Sequence, residues 1–81
     1  MTWIIKRTNQ FKKNYKTLPF YIQDKFKHNF QKFLKDPYDT SLKTHKLQGK
    51  MSIYTSSNIN DDYRFITQFD VSKKEVLLMN I

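Results

Sequence analysis

The hydrophobic pattern of this chain changes character near Ser41, and that change limits its fold more than any other feature. Before it, Phe11, Tyr15 and Leu18 recur at helical spacing. Ile22, Phe26, Phe30 and Phe33, with Leu34 beside them, then make a second apolar stripe. After it, Tyr63, Phe65, Thr67 and Phe69 alternate with Arg64, Ile66 and Gln68. A strand with one aromatic and one mixed face has one side on the core and one partly wet. Helices gathered ahead of strands predict an α+β layout, with a helical hairpin covering one face of an antiparallel sheet.

Residues that start and stop elements fill in the order. Residues 3–6 are β-formers and predict a first strand. Thr8 or Asn9 can cap the helix that follows. Pro19 breaks that helix and suits the first turn of the next. Lys25, Lys27 and Lys32 interrupt the second stripe, so this helix is amphipathic with a cationic outer face. Asp36-Pro37 ends it, because a residue before proline avoids the α region. Residues 42–50 have no clear period and predict a loop or a short extended lead-in. Residues 53–59 predict a Ser/Thr-rich strand, with Ser52, Ser56 and Ser57 on its surface. Asn60-Asp61-Asp62 and Ser72-Lys73-Lys74 are turn sequences. Residues 76–79 are apolar on both faces, as in a central strand. The expected order is β-α-α-β-β-β in a single domain, 1–81. The sheet face without helices is where a site belongs.

Composition narrows the function classes. A chain of 81 residues buries roughly 60–65% of its unfolded surface, so its core must be dense. Seven Phe, five Tyr and Trp3 supply that density. The absence of cysteine excludes disulfides, thiolate metal sites and a thiol nucleophile. No run of residues approaches the roughly 18 apolar positions of a membrane span, and no apolar signal-peptide segment follows the N-terminus. A cytoplasmic location without a membrane partner is therefore expected. Charge is uneven. Residues 1–50 hold twelve Lys/Arg against three Asp, whereas residues 51–81 hold three against four acids. An excess of nine positive charges in one part favours a polyanionic or acidic partner, through counterion release and field steering. A solvated lysine-rich helical face is the plainer alternative.

The residues with chemistry cluster in Thr44-His45-Lys46-Leu47-Gln48-Gly49-Lys50 and in Asp62-Tyr63-Arg64. Cleaving RNA without a metal needs a base for the 2′-hydroxyl proton, a cation for charge gathering on phosphate, and an acid for the leaving oxygen. Histidine suits the proton roles, with an unperturbed pKa of about 6.5. Arginine suits the phosphate, because its planar fork stays charged and grips two oxygens. His45, Arg64 and Asp62 are the candidate catalytic residues, with Asp62 orienting a proton carrier. Lys43, Lys46 and Lys50 are candidate backbone anchors, and Tyr54 is a candidate base-stacking residue. Each has a blander alternative: a surface histidine, an Arg64 ion pair with Asp62 or Asp70, a turn aspartate, solubilising lysines. His28, between Lys27 and Asn29, reads as solvated. Gly49, the one glycine, predicts a backbone conformation that other residues resist. No HExxH motif, His/Cys ligand cluster or Gly-rich phosphate loop is present, so neither a metal nor a cofactor is expected.

The stretch from His45 to Arg64 resembles the RelE/ParE superfamily of bacterial toxins. His45-Lys46-Leu47-Gln48-Gly49 is similar to the His-x-Leu-x-Gly motif of the YafQ type, and Tyr63-Arg64 to the Tyr-Arg pair of the RelE type. The resemblance implies a compact β-α-α-β-β-β fold and a toxin of a type II toxin–antitoxin system, neutralised by a cognate antitoxin. It implies ribosome-dependent cleavage of mRNA, with His45 and Asp62 at the positions of the YafQ motif and Arg64 at the scissile region. The ParE branch implies instead a non-catalytic gyrase inhibitor, and an antitoxin-binding scaffold is a further alternative. The sequence departs from the pattern in three places. Asn58 stands near a second histidine, Ser and Thr replace a pair of lysines, and the terminal histidine or tyrosine segment is not found after residue 81. The resemblance thus implies an activity impaired in this chain.

Overall fold

A helical stripe and an alternating strand must bury their apolar sides against each other, and here they do so in two layers. The computed structural model describes residues 2–51 and 53–81. Strand β1 (Ile4–Arg7) leads into helix α1 (Asn9–Thr17) and helix α2 (Phe20–Lys35). Strands β2 (His45–Lys46), β3 (Thr55–Asn58), β4 (Arg64–Asp70) and β5 (Glu75–Asn80) follow. The sheet order is β1-β5-β4-β3-β2.

The α+β layout holds, with two differences from the expected sheet. A two-residue strand, β2, forms within the segment read as a lead-in. In addition, the sheet is mixed: β2–β3, β3–β4 and β4–β5 are antiparallel, but β1 lies parallel to β5, with Ile5 opposite Val76. The helical hairpin returns the chain so that β5 reaches β1 travelling in the same direction. β5 is thereby flanked on both sides, as its apolar sequence suggested.

Thr8 caps α1. Its side-chain oxygen accepts from the Phe11 N–H at 3.1 Å and its hydroxyl donates to the Met79 carbonyl at 2.7 Å. One residue thus starts a helix and ties it to β5. Pro19 sits at the cap position of α2 rather than inside its first turn, and Asp36 closes that helix. The stripe of α2 lies over β4. Phe26 and Phe33 meet Phe65 edge-on at ring distances of 5.2 and 5.7 Å, and Phe33 meets Phe69 at 5.2 Å. Edge-to-face aromatic pairs add to the burial of their large apolar area. Ile22, Leu42, Ile59, Val76 and Leu78 complete the core. Trp3 closes one side, with its indole N–H donating to the Leu34 carbonyl at 2.7 Å.

Asn29 sits on the buried stripe of α2, between Phe26 and Phe30. Its amide donates to the carbonyls of Asn58 and Ile59 at 3.2 and 3.0 Å, joining the helix to the end of β3. Ser56 and Ser57 are fully buried, contrary to the expectation of surface serines, because β3 is an interior strand. Ser52 lies outside the described residues. The helices cover the face carrying Phe65 and Thr67. Among the described residues no helix lies over the other face, as expected.

Candidate functional site on the open face of the sheet

The local fold that presents His45 begins with a plug. Leu42, wholly buried, anchors a short 3₁₀ turn, Thr40–Leu42. Asp39 caps this turn by accepting from the Ser41 N–H and hydroxyl at 2.9 and 2.7 Å. Lys43 then takes a left-handed conformation, φ 49°, which redirects the chain towards the sheet. The Thr44 and Ser57 hydroxyls, 2.8 Å apart, fasten the next residue to β3. His45 enters β2 opposite Ser56, and its Nδ1 lies 3.1 Å from the Lys43 carbonyl oxygen. A carbonyl only accepts, so that bond requires Nδ1–H. The neutral ring then presents the Nε2 lone pair, the form a general base needs.

Register places Arg64 on the same face. Opposed residues of antiparallel strands point to one side. His45, Ser56 and Ile66 therefore form one row, and Asn58 and Arg64 the next matched pair two residues along. With strands about 4.8 Å apart and about 3.4 Å per residue, the His45 and Arg64 Cα atoms lie about 12 Å apart. Both side chains are exposed. Long side chains at that separation can converge on a single sugar–phosphate unit. The ion pair of Arg64 with Asp70 is excluded by topology. They occupy opposite ends of β4, about 20 Å apart at strand rise, and Asp70 accepts instead from Ser72 and Lys73.

The other sequence-level candidates separate. Lys46 is opposite Thr55, so it points to the helical side and not to the His45 row. Lys50 is exposed in the turn Gly49–Met51, beside Gly49 at φ 66°. A Cβ on Gly49 would meet nothing within 4 Å, so glycine is needed there for its conformation and not for space. Asp62 is exposed in the turn before β4, where Asn60 accepts from the N–H groups of Asp62 and Tyr63 at 2.9 and 2.8 Å. The Lys43 carbonyl, and not Asp62, orients the His45 ring. Tyr54 does lie on the open face, lining a groove of about 310 Å³ with Leu47, Ile66 and Met79. Tyr63 packs against the core, and His28 is exposed as expected. Sequence reasoning missed Ser56, whose buried hydroxyl has no partner and lies in the His45 row. It also missed Asn29, whose place on a helical stripe between two phenylalanines was the available signal.

Among the described residues no group of His, Cys, Asp or Glu side chains could hold a metal ion. No described helix is long and apolar enough to cross a membrane.

The chain has the fold of the YoeB/ParE, YafQ and RelE toxins of toxin–antitoxin systems. The YoeB/ParE toxin from Agrobacterium tumefaciens is similar at a TM-score of 0.81 and 18% identity, over 95% of this chain and 93% of that one. A chain of the E. coli DinJ–YafQ toxin–antitoxin complex is similar at 0.77 and 20% identity, over 99% and 90%. A chain of the archaeal RelE–RelB complex from Pyrococcus horikoshii is similar at 0.76 and 20% identity, over 99% and 92%. The sequence matches no protein-family model and no curated protein.

Proposed function

We propose that this protein is the toxin of a type II toxin–antitoxin system and a metal-independent endoribonuclease that cuts mRNA on the ribosome. The observation that carries the reading is the co-facial placement of His45 and Arg64 on the uncovered side of the sheet. His45, with Nδ1–H held by the Lys43 carbonyl, takes the 2′-hydroxyl proton at Nε2. Arg64 grips the phosphate as it gains charge. The 2′-oxygen attacks phosphorus, the bond from phosphorus to the 5′-oxygen breaks, the leaving 5′-oxygen takes a proton from water, and a 2′,3′-cyclic phosphate remains. Tyr54 offers a ring to a neighbouring base, and Lys43 and Lys50 add positive charge around the sheet edge. Toxin–antitoxin complexes among the similar structures support a cognate antitoxin as protein partner.

Cell-free translation followed by primer extension tests this. Codon-register cuts are expected from the wild-type chain, at a reduced rate because Asn58 stands where the family pattern has a second histidine. His45→Gln should lower cleavage about 10²–10⁴-fold, the usual contribution of a general base. Variants that cut as well as wild type sink the assignment.

One feature favours a second reading, a non-catalytic gyrase inhibitor or antitoxin-binding scaffold. Arg64 faces Asn58, whose amide cannot carry a proton, so β3 supplies no acid there. Inhibition of DNA supercoiling without RNA cuts selects the gyrase branch, and antitoxin binding with neither activity selects the scaffold.

A further inference from the structure

Around the sheet edge from His45 is a groove of about 310 Å³ between α2, the Thr40–Leu42 turn and the turn after β3. Lys25, Lys32 and Lys43 line it, together with Asn29, Asn58 and Asn60. Lys25, Asn29 and Lys32 lie on one stripe of α2, and the two lysines are about 10 Å apart along the axis at helical rise. Asp61 is the acid in the lining. Asp39 is close to Lys32, but its carboxylate is occupied by the Ser41 hydroxyl and N–H.

We infer that this groove is a phosphate-binding subsite that continues the path of a single-stranded RNA backbone away from the His45–Arg64 face. The inference rests on the reading of RNA as the ligand of that face. Two residues make the two regions continuous. Lys43 lines the groove while its carbonyl holds the His45 ring, and Asn58 lines it while paired in register with Arg64. A strand leaving the scissile phosphate meets ammonium groups there, while the Asn29 amide stays bonded to the Asn58 and Ile59 carbonyls. The chemistry of the walls selects the ligand. A second groove, of about 420 Å³ between the helices, sets Arg7, Lys12, Lys16 and Lys27 around Phe11, Tyr15, Phe26 and Phe30 and suits an amphipathic segment with apolar and acidic groups. The Lys25–Lys43 groove has Ile59 as its one apolar lining residue and suits a hydrated phosphodiester.

Salt dependence of RNA binding gives the test. Each phosphate neutralised on a single strand adds about 0.7 to the slope of log affinity against log salt. A labelled single-stranded RNA dodecamer is titrated with the full chain across a salt series. Replacing Lys25, Lys32 and Lys43 together by Gln should flatten that slope by about two. Replacing the same three by Arg should preserve it, which separates charge from folding. Replacing Lys12, Lys13 and Lys16 of α1 by Gln serves as a charge-matched control and should flatten it less. An unchanged slope in the Lys25/Lys32/Lys43 variant overturns the inference. So does an equal loss in the α1 control, or an RNA affinity of the wild type that is insensitive to salt. The outcomes for cleavage are separate. Codon-register cutting with an unchanged slope discards the groove and leaves the ribonuclease reading intact. A groove-dependent slope without any cutting does the reverse.

Discussion

Arg64 and Phe65 are adjacent on β4, yet the first is exposed and the second has no accessible surface. Phe65 belongs to a face sealed by the α2 phenylalanines, where shape and apolar area decide the energy. Arg64 belongs to a face no helix covers, where a group is free to meet a ligand. The difference shows how so small a chain can hold both a core and a candidate site. Strand alternation assigns them to opposite sides of one layer, so each can change without the other.

The hardest test of that independence is at the core. Phe33 is fully buried and meets Trp3, Phe65 and Phe69. Phe33→Ala should cost about 3–5 kcal/mol, against roughly 4–12 kcal/mol for a whole domain of this length. Denaturant unfolding should show a large fall in midpoint or no folded baseline. A loss below about 1 kcal/mol would mean that the aromatic layer is not the stabilising one.

The open face should respond oppositely. Arg64→Ala is expected to change stability by less than about 0.5 kcal/mol and to reduce cleavage about 10²–10³-fold, as removal of a transition-state donor does. The comparison breaks if the melting temperature falls as far as the activity.

Thr8 joins the two layers, so its effect should be intermediate. Thr8→Ala removes the cap of α1 and the bond to the Met79 carbonyl together. A loss of about 0.5–2 kcal/mol is expected, and Thr8→Ser should recover most of it. A loss in Thr8→Ser equal to that in Thr8→Ala would show that the methyl, not the hydroxyl, matters.

What the sequence disclosed follows the range of the forces involved. The stripe from Ile22 to Phe33 was legible because helical periodicity is local, and Asp36-Pro37 marked its end for the same reason. The alternation from Tyr63 to Phe69 placed Arg64 on the wet face correctly. The parallel pairing of Ile5 with Val76 was not legible, since it joins residues some seventy positions apart and no local pattern encodes it. β2 was hidden because two residues have no period. Without β2 in place, Lys46 could not be separated from His45, nor Ser56 recognised as buried between strands. The cationic face of α2 was visible, but its Lys25–Lys32 stripe became a groove wall only once the turn after β3 had folded beside it.

The smallest expected effect concerns the far end of the strand that bears Arg64. Asp70 accepts from the Ser72 hydroxyl at 2.6 Å and from the Lys73 and Ser72 N–H groups at 3.3 and 3.0 Å. The hydroxyl first, then those amides, hold its carboxyl below the ordinary value of 3.8. In the unfolded chain the group titrates near that ordinary value. The stabilisation of the turn is therefore fully present above it and is lost as pH falls through the lower folded value. Full exposure keeps the contribution small. An NMR titration of the Asp70 carboxyl should place its midpoint below 3.8, and Ser72→Ala should raise it. Arg64→Ala should leave it unmoved, because the two residues are separated by the length of β4. A midpoint that shifts with Arg64 would restore the ion pair as the reason for that arginine and remove the ground for placing it at a phosphate.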